Sequence, residues 1–253
     1  EDLCPFFCAF FYLCVITNFL LCIAILLSTI FWLIVNTIGS VDDLIENYQS
    51  QISCICSLLG QALGLYKNKC FISEYNPIII KTGIIKFDKG KKYIDTSCVE
   101  GINNISSGEL ITNEKRPSRA NMQPKSDSVW FAKMKGSNKM IVITKYDEDL
   151  LNKHILSTGF LGIKSSDTLP LSLLTAIIIS NDFRIQRDLN SIGTTMAGVN
   201  NETFLKILVP QLDKNEVIAF DKKYNSLVIQ LSYLRRKINH LKMIKEKLLK
   251  KYF

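Results

Sequence analysis

Hydrophobic residues are spread unevenly along this chain. From Phe6 to Val35 they run almost without a break, and Leu3–Val41 holds no charged residue. A bilayer crossing needs about 20 apolar residues, so the stretch predicts a transmembrane segment, with membrane association through residues 3–38. It is longer than a signal-peptide core, and no basic region leads into it. No Lys or Arg precedes Lys67, so flanking charge gives the span no orientation. The same mix of Phe, Leu, Ile, Cys and Tyr also arises when an AT-rich gene is read in a non-native frame. Both readings stay open for residues 1–37.

The period then changes. Val41, Ile45, Tyr48, Ile52, Ile55, Leu59, Ala62 and Tyr66 recur in steps of four and three. That spacing predicts a helix with a coiled-coil seam over 38–69, and Ser40 with Asp43 three residues on reads as its capping box. Near the C-terminus Tyr224, Leu227, Leu231, Leu234, Ile238, Leu241, Leu248 and Tyr252 repeat the pattern over 213–253, interrupted by Lys245. At 1.5 Å per residue each helix is roughly 40 Å long. Helices of matched length that enter and leave one domain pair as antiparallel neighbours, each covering the other's seam or that of another subunit.

Between them, residues 70–212 read as mixed α and β. "TGIIKFDKGKKYIDTS" predicts strand, polar turn, strand. "VWFAKMKGSNKMIVITKY" predicts a hairpin around Gly136–Asn138, and "HILSTGFLGIKSS" another strand. Pro170 starts a helix that runs to about Leu189, and "TFLKILVP" forms a last strand. The fold class expected is α+β: one mixed α/β domain flanked by two long antiparallel coiled-coil helices, plus the apolar N-terminal segment.

Charge sharpens this picture. All 31 basic residues but only 18 of the 23 acidic ones fall in 67–253, giving that part 31 − 18 = +13. Such a body suits a polyanion, DNA or RNA, or an anionic membrane surface. The eight cysteines show no zinc spacing, and the two histidines, His154 and His240, have no cysteine near them. Reduced thiols in a cytoplasmic setting follow, with no metal and no cofactor expected. "GTTMAGVN" lacks the lysine of a phosphate-binding loop, no nucleophile–base set is evident, and His154 reads as a strand residue. The chain is expected to be no enzyme. "GTTMAGVN" then remains either a turn whose backbone N–H groups approach a phosphate or a purely structural turn.

Several segments in order resemble the specificity subunits of type I restriction-modification systems. They are "IGSVDDLIENYQSQI", "RPSRANMQPKSDSVWF", "LSTGFLGIK" and "SIGTTMAGVNNETFLKILVPQLDKNEVIAFDKKY", together covering about Ile34 to Phe253. The resemblance implies a non-catalytic target-recognition domain that reads half of a split site on double-stranded DNA. It implies spacer helices that dock DNA methyltransferase (M) subunits, with nuclease/translocase (R) subunits joining that core. Only one recognition domain is present, the C-terminal half of such a subunit, so a homodimer through the helices would restore a two-domain reader. The apolar stretch 1–33 stands in place of the first recognition domain, and Ser53, Cys54 and Cys56 stand where the family is usually charged. The residues expected to contact DNA are Arg116, Ser118 and Arg119 in the irregular loop, Lys133, Lys135 and Lys139 around the hairpin, and Thr194 and Thr195. Arg184 and Arg187 are expected to be solvated helix residues. The alternative reading is a single-pass membrane protein with a basic cytosolic interaction domain.

Overall fold

The computed structural model describes residues 5–106, 108–193 and 197–252, with side chains for Ile23 and from Ile25 onward. Two compact units result, one of residues 1–47 with 240–253 and one of residues 48–239.

A single helix, α1, spans Pro5–Leu63. No break falls near residue 38, where a helix start was expected. Ser40 is no cap: its hydroxyl donates to the Asn36 carbonyl at 2.9 Å, the back-bonded geometry of a helix interior. The predicted seam is real, with Val41 and Ile45 buried in the first unit and Ile52, Ile55, Leu59 and Ala62 in the second. Past Leu63 the chain turns into β1 (Lys69–Phe71), then β2 (Ile78–Ile79), β3 (Lys91–Ile94), β4 (Val99–Glu100), β5 (Asn104–Ile105), β6 (Glu109–Ile111), β7 (Ala120–Met122), β8 (Ser128–Ala132) and β9 (Met140–Ile143). Short α2 (Glu148–Lys153), β10 (His154–Ser157) and β11 (Phe160–Lys164) follow. Next come α3 (Leu171–Ile179), α4 (Asn181–Leu189), α5 (Asn201–Leu205), β12 (Leu208–Pro210) and α6 (Lys214–Tyr252).

Two four-stranded sheets, ordered β2-β11-β8-β9 and β6-β3-β10-β7, form the centre of the second unit. The first is antiparallel throughout. The second contains the parallel pair β3–β10. β8 is buried at every position. Trp130 points with Ile141, Leu156 and Phe160 into a common core. Phe131, on the opposite face, meets Phe183 of α4 and Phe204 of α5 at centroid separations of 5.2 and 5.8 Å. A Cβ on Gly162 would sit 2.5 Å from the Trp130 ring. Only glycine lets the indole lie flat on β11 there.

Four expectations need correction. Of "TFLKILVP" only Leu208–Pro210 is strand, because Asn200 caps a short helix that takes Thr203–Leu205. "TGIIKF" forms no strand. Only Gly83 pairs, donating its N–H to Asn121 O at 2.8 Å, and its φ of +138° takes it out of an extended run. "HILSTGFLGIK" is two strands in different sheets, because Thr158–Gly159 turns the chain after β10. The helix expected over 170–189 is split at Ser180, whose extended backbone ends α3 while its hydroxyl accepts from Phe183 N–H and caps α4. All nine residues of α3 are buried, whereas α4 buries only Phe183 and Arg187. One helix could not turn both surfaces inward.

α6 and α1 lie antiparallel. In the second unit Tyr66 meets Phe220 edge-on at 6.4 Å, and in the first Lys245 reaches Asp42 at 2.6 Å. Lys245, the break in the apolar seam, is thus an ion-pair position. α6 is also pinned to the sheets by a buried polar network. Arg235 forms an ion pair with Asp147 at 2.6 Å and donates to the Val142 carbonyl at 2.5 Å and to Asn103 Oδ1 at 3.0 Å. Ser232 donates to the same carboxylate, which also accepts from Thr144 N–H at 2.7 Å.

Candidate nucleic-acid interface

The β8–β9 hairpin projects Lys133, Lys135 and Lys139 beyond the last paired residues, and two connections brace its root. On one side Lys133 N–H donates to Gly159 O at 3.0 Å, tying the hairpin to the Thr158–Gly159 turn. On the other, Lys135 N–H donates to Ala197 O at 2.9 Å and Val199 N–H to Lys133 O at 3.1 Å. Ala197–Val199, the described part of "GTTMAGVN" next to the hairpin, therefore run beside it as a short antiparallel strap. Thr194 and Thr195 lie outside the described residues, with Gly193 and Ala197 flanking them.

Arg119 joins this group. Its carbonyl accepts from Thr158 N–H at 2.8 Å, and a Cβ on Gly159 would stand 3.1 Å from its guanidinium. The same Cβ would stand 3.1 Å from the Thr96 methyl, and Thr96 O accepts from Lys139 Nζ at 2.8 Å. Thr96 is presented by a tight turn in which Asp95 Oδ1 accepts from Ser97 N–H, Ser97 Oγ and Cys98 N–H. Those bonds, Ser97's hydroxyl foremost, hold the Asp95 carboxyl below the usual range. Arg119, Lys133 and Lys139 thus gather around one glycine turn. Among the described residues none of them, nor Lys135, pairs with a carboxylate. Burial, with the Arg119 charge added, pushes the Lys133 ammonium below its ordinary value. An anion placed here would relieve that repulsion.

The other predicted residues divide. Ser118 is exposed next to Arg119. Arg116 turns away, donating to Ala120 O at 2.6 Å and to Asn121 Oδ1 at 3.4 Å, so it braces β7.

Arg187 is the main correction. Expected to be solvated, it is 3% exposed, and its guanidinium donates to the Ser137 carbonyl at the hairpin tip. Its neighbour Asp188 accepts from Gly136 N–H at 3.1 Å while pairing with Arg187 at 2.7 Å. Together they clamp Gly136–Ser137, whose φ of +74° at Gly136 marks a tight turn. Arg184 instead donates to Ile179 O at 3.2 Å. Nothing in the spacing of "RIQRDL" announces the clamp. Gly159, by contrast, was legible in principle, since a glycine between two strands signals a turn or close approach.

His154 sits buried in β10, where burial lowers the imidazole pKa against the opposing Asp149 carbonyl. Cys54, Cys56, Cys70 and Cys98 carry free thiols, with burial pushing Cys56 up to about 12 against the pull of Arg184. No group of three or more metal-ligating side chains occurs among the described residues.

Fold and site together define a β-rich head, framed by two antiparallel helices, that offers a cation-lined turn. No known family profile and no curated protein matches the chain. Among solved structures it is similar to a chain from a study of complex assembly and conformational transition in a type I R-M system, at 21% identity and TM-score 0.46, covering 67% of this chain and 44% of that one. It is also similar to the HsdS subunit from Thermoanaerobacter tengcongensis, at 17% identity and TM-score 0.45, covering 72% and 46%. A third is the type I restriction-modification S subunit from M. genitalium, at 14% identity and TM-score 0.44, covering 87% and 59%. The chain thus spans from 44% to 59% of the length of these structures.

Proposed function

We propose that this chain is a DNA-recognition subunit of a type I restriction-modification complex, carrying one target-recognition domain (residues 70–212) between two spacer helices. The observation that carries the reading is the gathering of Arg119, Lys133 and Lys139 around the Thr158–Gly159 turn, with Lys135 on the same braced hairpin. Unpaired cations on a rigid two-stranded projection fit a duplex groove, where phosphate contacts set position and arginine reads guanine. Ser118 supplies a neutral hydrogen bond beside them, Thr194 and Thr195 remain contact residues proposed from the sequence alone, and Arg116 supports the loop from within.

The subunit performs no chemistry in this reading. Its helices dock methyltransferase subunits, nuclease/translocase subunits join through them, and a second copy pairs along the helices to complete a split-site reader. The recognition head works in the cytoplasm, where the DNA is.

Co-expression with the partner methyltransferase gene, followed by sequencing of modified bases, tests the proposal. Methylation should fall at one recurrent sequence that disappears when Arg119 is changed to Ala. Modification without sequence preference, or unchanged by Arg119→Ala, would refute it.

A further inference from the structure

We propose that the N-terminal part of α1 inserts into a lipid bilayer, and that the lysine-rich end of α6, folded back beside it, holds the anionic headgroups at that membrane's surface. This goes beyond DNA recognition and does not depend on it.

The sequence shows an uncharged stretch with no basic flank. Tertiary structure supplies both what the stretch faces and the missing flank. Every side chain from Ile25 to Leu33 is exposed, Trp32 at 67%. Successive residues lie 100° apart around a helix, so nine in a row cover the full circumference. A helix that docks on one protein partner shows an apolar stripe with a polar reverse. This one has no polar reverse, which suits hydrocarbon on all sides. Its hydroxyls agree. Ser28 donates to Ile25 O, Thr29 to Leu26 O and Thr37 to Leu33 O, each at 2.8 Å. Donors turned onto the helix's own carbonyls leave nothing for water to satisfy, as a bilayer requires. Pro5–Phe31 alone is 31 − 5 + 1 = 27 helical residues without charge, about 40 Å at 1.5 Å each, more than the roughly 30 Å of a hydrocarbon core.

The flank comes from the other end of the chain. Lys245 pairs with Asp42 at 2.6 Å. Because the helices are antiparallel, the 252 − 245 = 7 residues of α6 beyond it run beside the segment that leads into the apolar stretch. They carry Lys247, Lys250 and Lys251, all exposed, and end at the half-exposed Tyr252. The matching part of α1 holds Asn36, Thr37 and Ser40, then Trp32. Polar residues, lysines, Trp and Tyr at one level are the composition of a membrane–water boundary, and clustered lysines there favour anionic lipid.

Full-length chain, made by cell-free synthesis with vesicles, tests both parts. The chain should float with phosphatidylcholine vesicles on a density gradient and stay with them through an alkaline carbonate wash. Leu27→Lys combined with Leu33→Lys should abolish flotation. Equal mixtures of phosphatidylcholine and phosphatidylserine should capture the chain more strongly than phosphatidylcholine alone. The triple variant Lys247→Gln, Lys250→Gln, Lys251→Gln should erase that preference, on the order of 100-fold at about 1 kcal/mol per lysine, while still floating. A chain that stays soluble as a defined oligomer would show that a second copy covers the segment, and a chain that sediments without lipid would show aggregation. Either result overturns the insertion. Equal capture by both vesicle types overturns the headgroup role.

Discussion

Arg235 of α6 meets Asp147 at 2.6 Å with 1% and 2% of their side chains exposed. The pair joins the outgoing helix to the end of β9, the strand whose other end leads to the basic hairpin. Removing Arg235 would leave Asp147 buried with only the half-exposed Arg236, 3.8 Å away, as counter-charge, and breaking such a buried pair costs about 3–5 kcal/mol. Arg235→Met should therefore lower the urea-unfolding free energy by that amount. Arg235→Met with Asp147→Leu should recover most of it. A single variant that loses under ~1 kcal/mol would show that water reaches the pair.

Acid should destabilise the head in two stages. Burial pushes the Asp147 carboxyl up, but Arg235 and the hydrogen bonds from Ser232 and Thr144 outweigh it and hold the group below the usual range. Its contribution is present above the unfolded value of about 3.9 and fades as pH falls through the lower folded value. His154 is shifted downward by burial. Below its ordinary value of about 6.5 the unfolded chain takes a proton that the folded chain refuses, so stability declines there first. Unfolding midpoints measured against pH should show both declines, and His154→Phe should remove only the milder one.

Arg119 and Lys135 should behave differently on DNA. Arg119→Ala should weaken cognate binding by ~1–3 kcal/mol and leave random DNA nearly unaffected. Lys135→Ala should weaken both alike and reduce the salt slope by about 1. Quantitative mobility shifts across salt concentrations separate the two, and identical profiles would mean that both side chains touch only phosphates.

Asp188 touches no predicted contact residue through its side chain, yet it should matter for discrimination. Asp188→Ala frees Gly136 N–H and leaves Arg187 without its carboxylate. With the lost hydrogen bond to Gly136 worth ~1 kcal/mol, the cognate preference should fall about fivefold, and the buried Arg187 left without its partner should lower the thermal midpoint as well. Unchanged preference would show that the tip keeps its shape without the clamp.

The sequence made the repetitive parts legible. The seam positions of both long helices recur at helical spacing, and most of those before Leu63 are buried in the structure. The hairpin was readable because Gly136–Asn138 divides two apolar runs. What escaped depends on contacts between distant segments. Ser180 splits one apparent helix because two faces need different orientations, and Arg187 looks like any surface arginine until Ser137 is seen against it. Lys245 looks like a flaw in a heptad until Asp42, 203 residues earlier, comes into view.

β8 and β9 are buried at every residue up to Ala132 and from Met140, while most of the connection between them is open to solvent. New side chains at Met134, Lys135 and Asn138 therefore need no repacking of the interior. In the proposed reading, a chain built this way acquires a different target by exchanging these few tip residues, with its foundation left as it was.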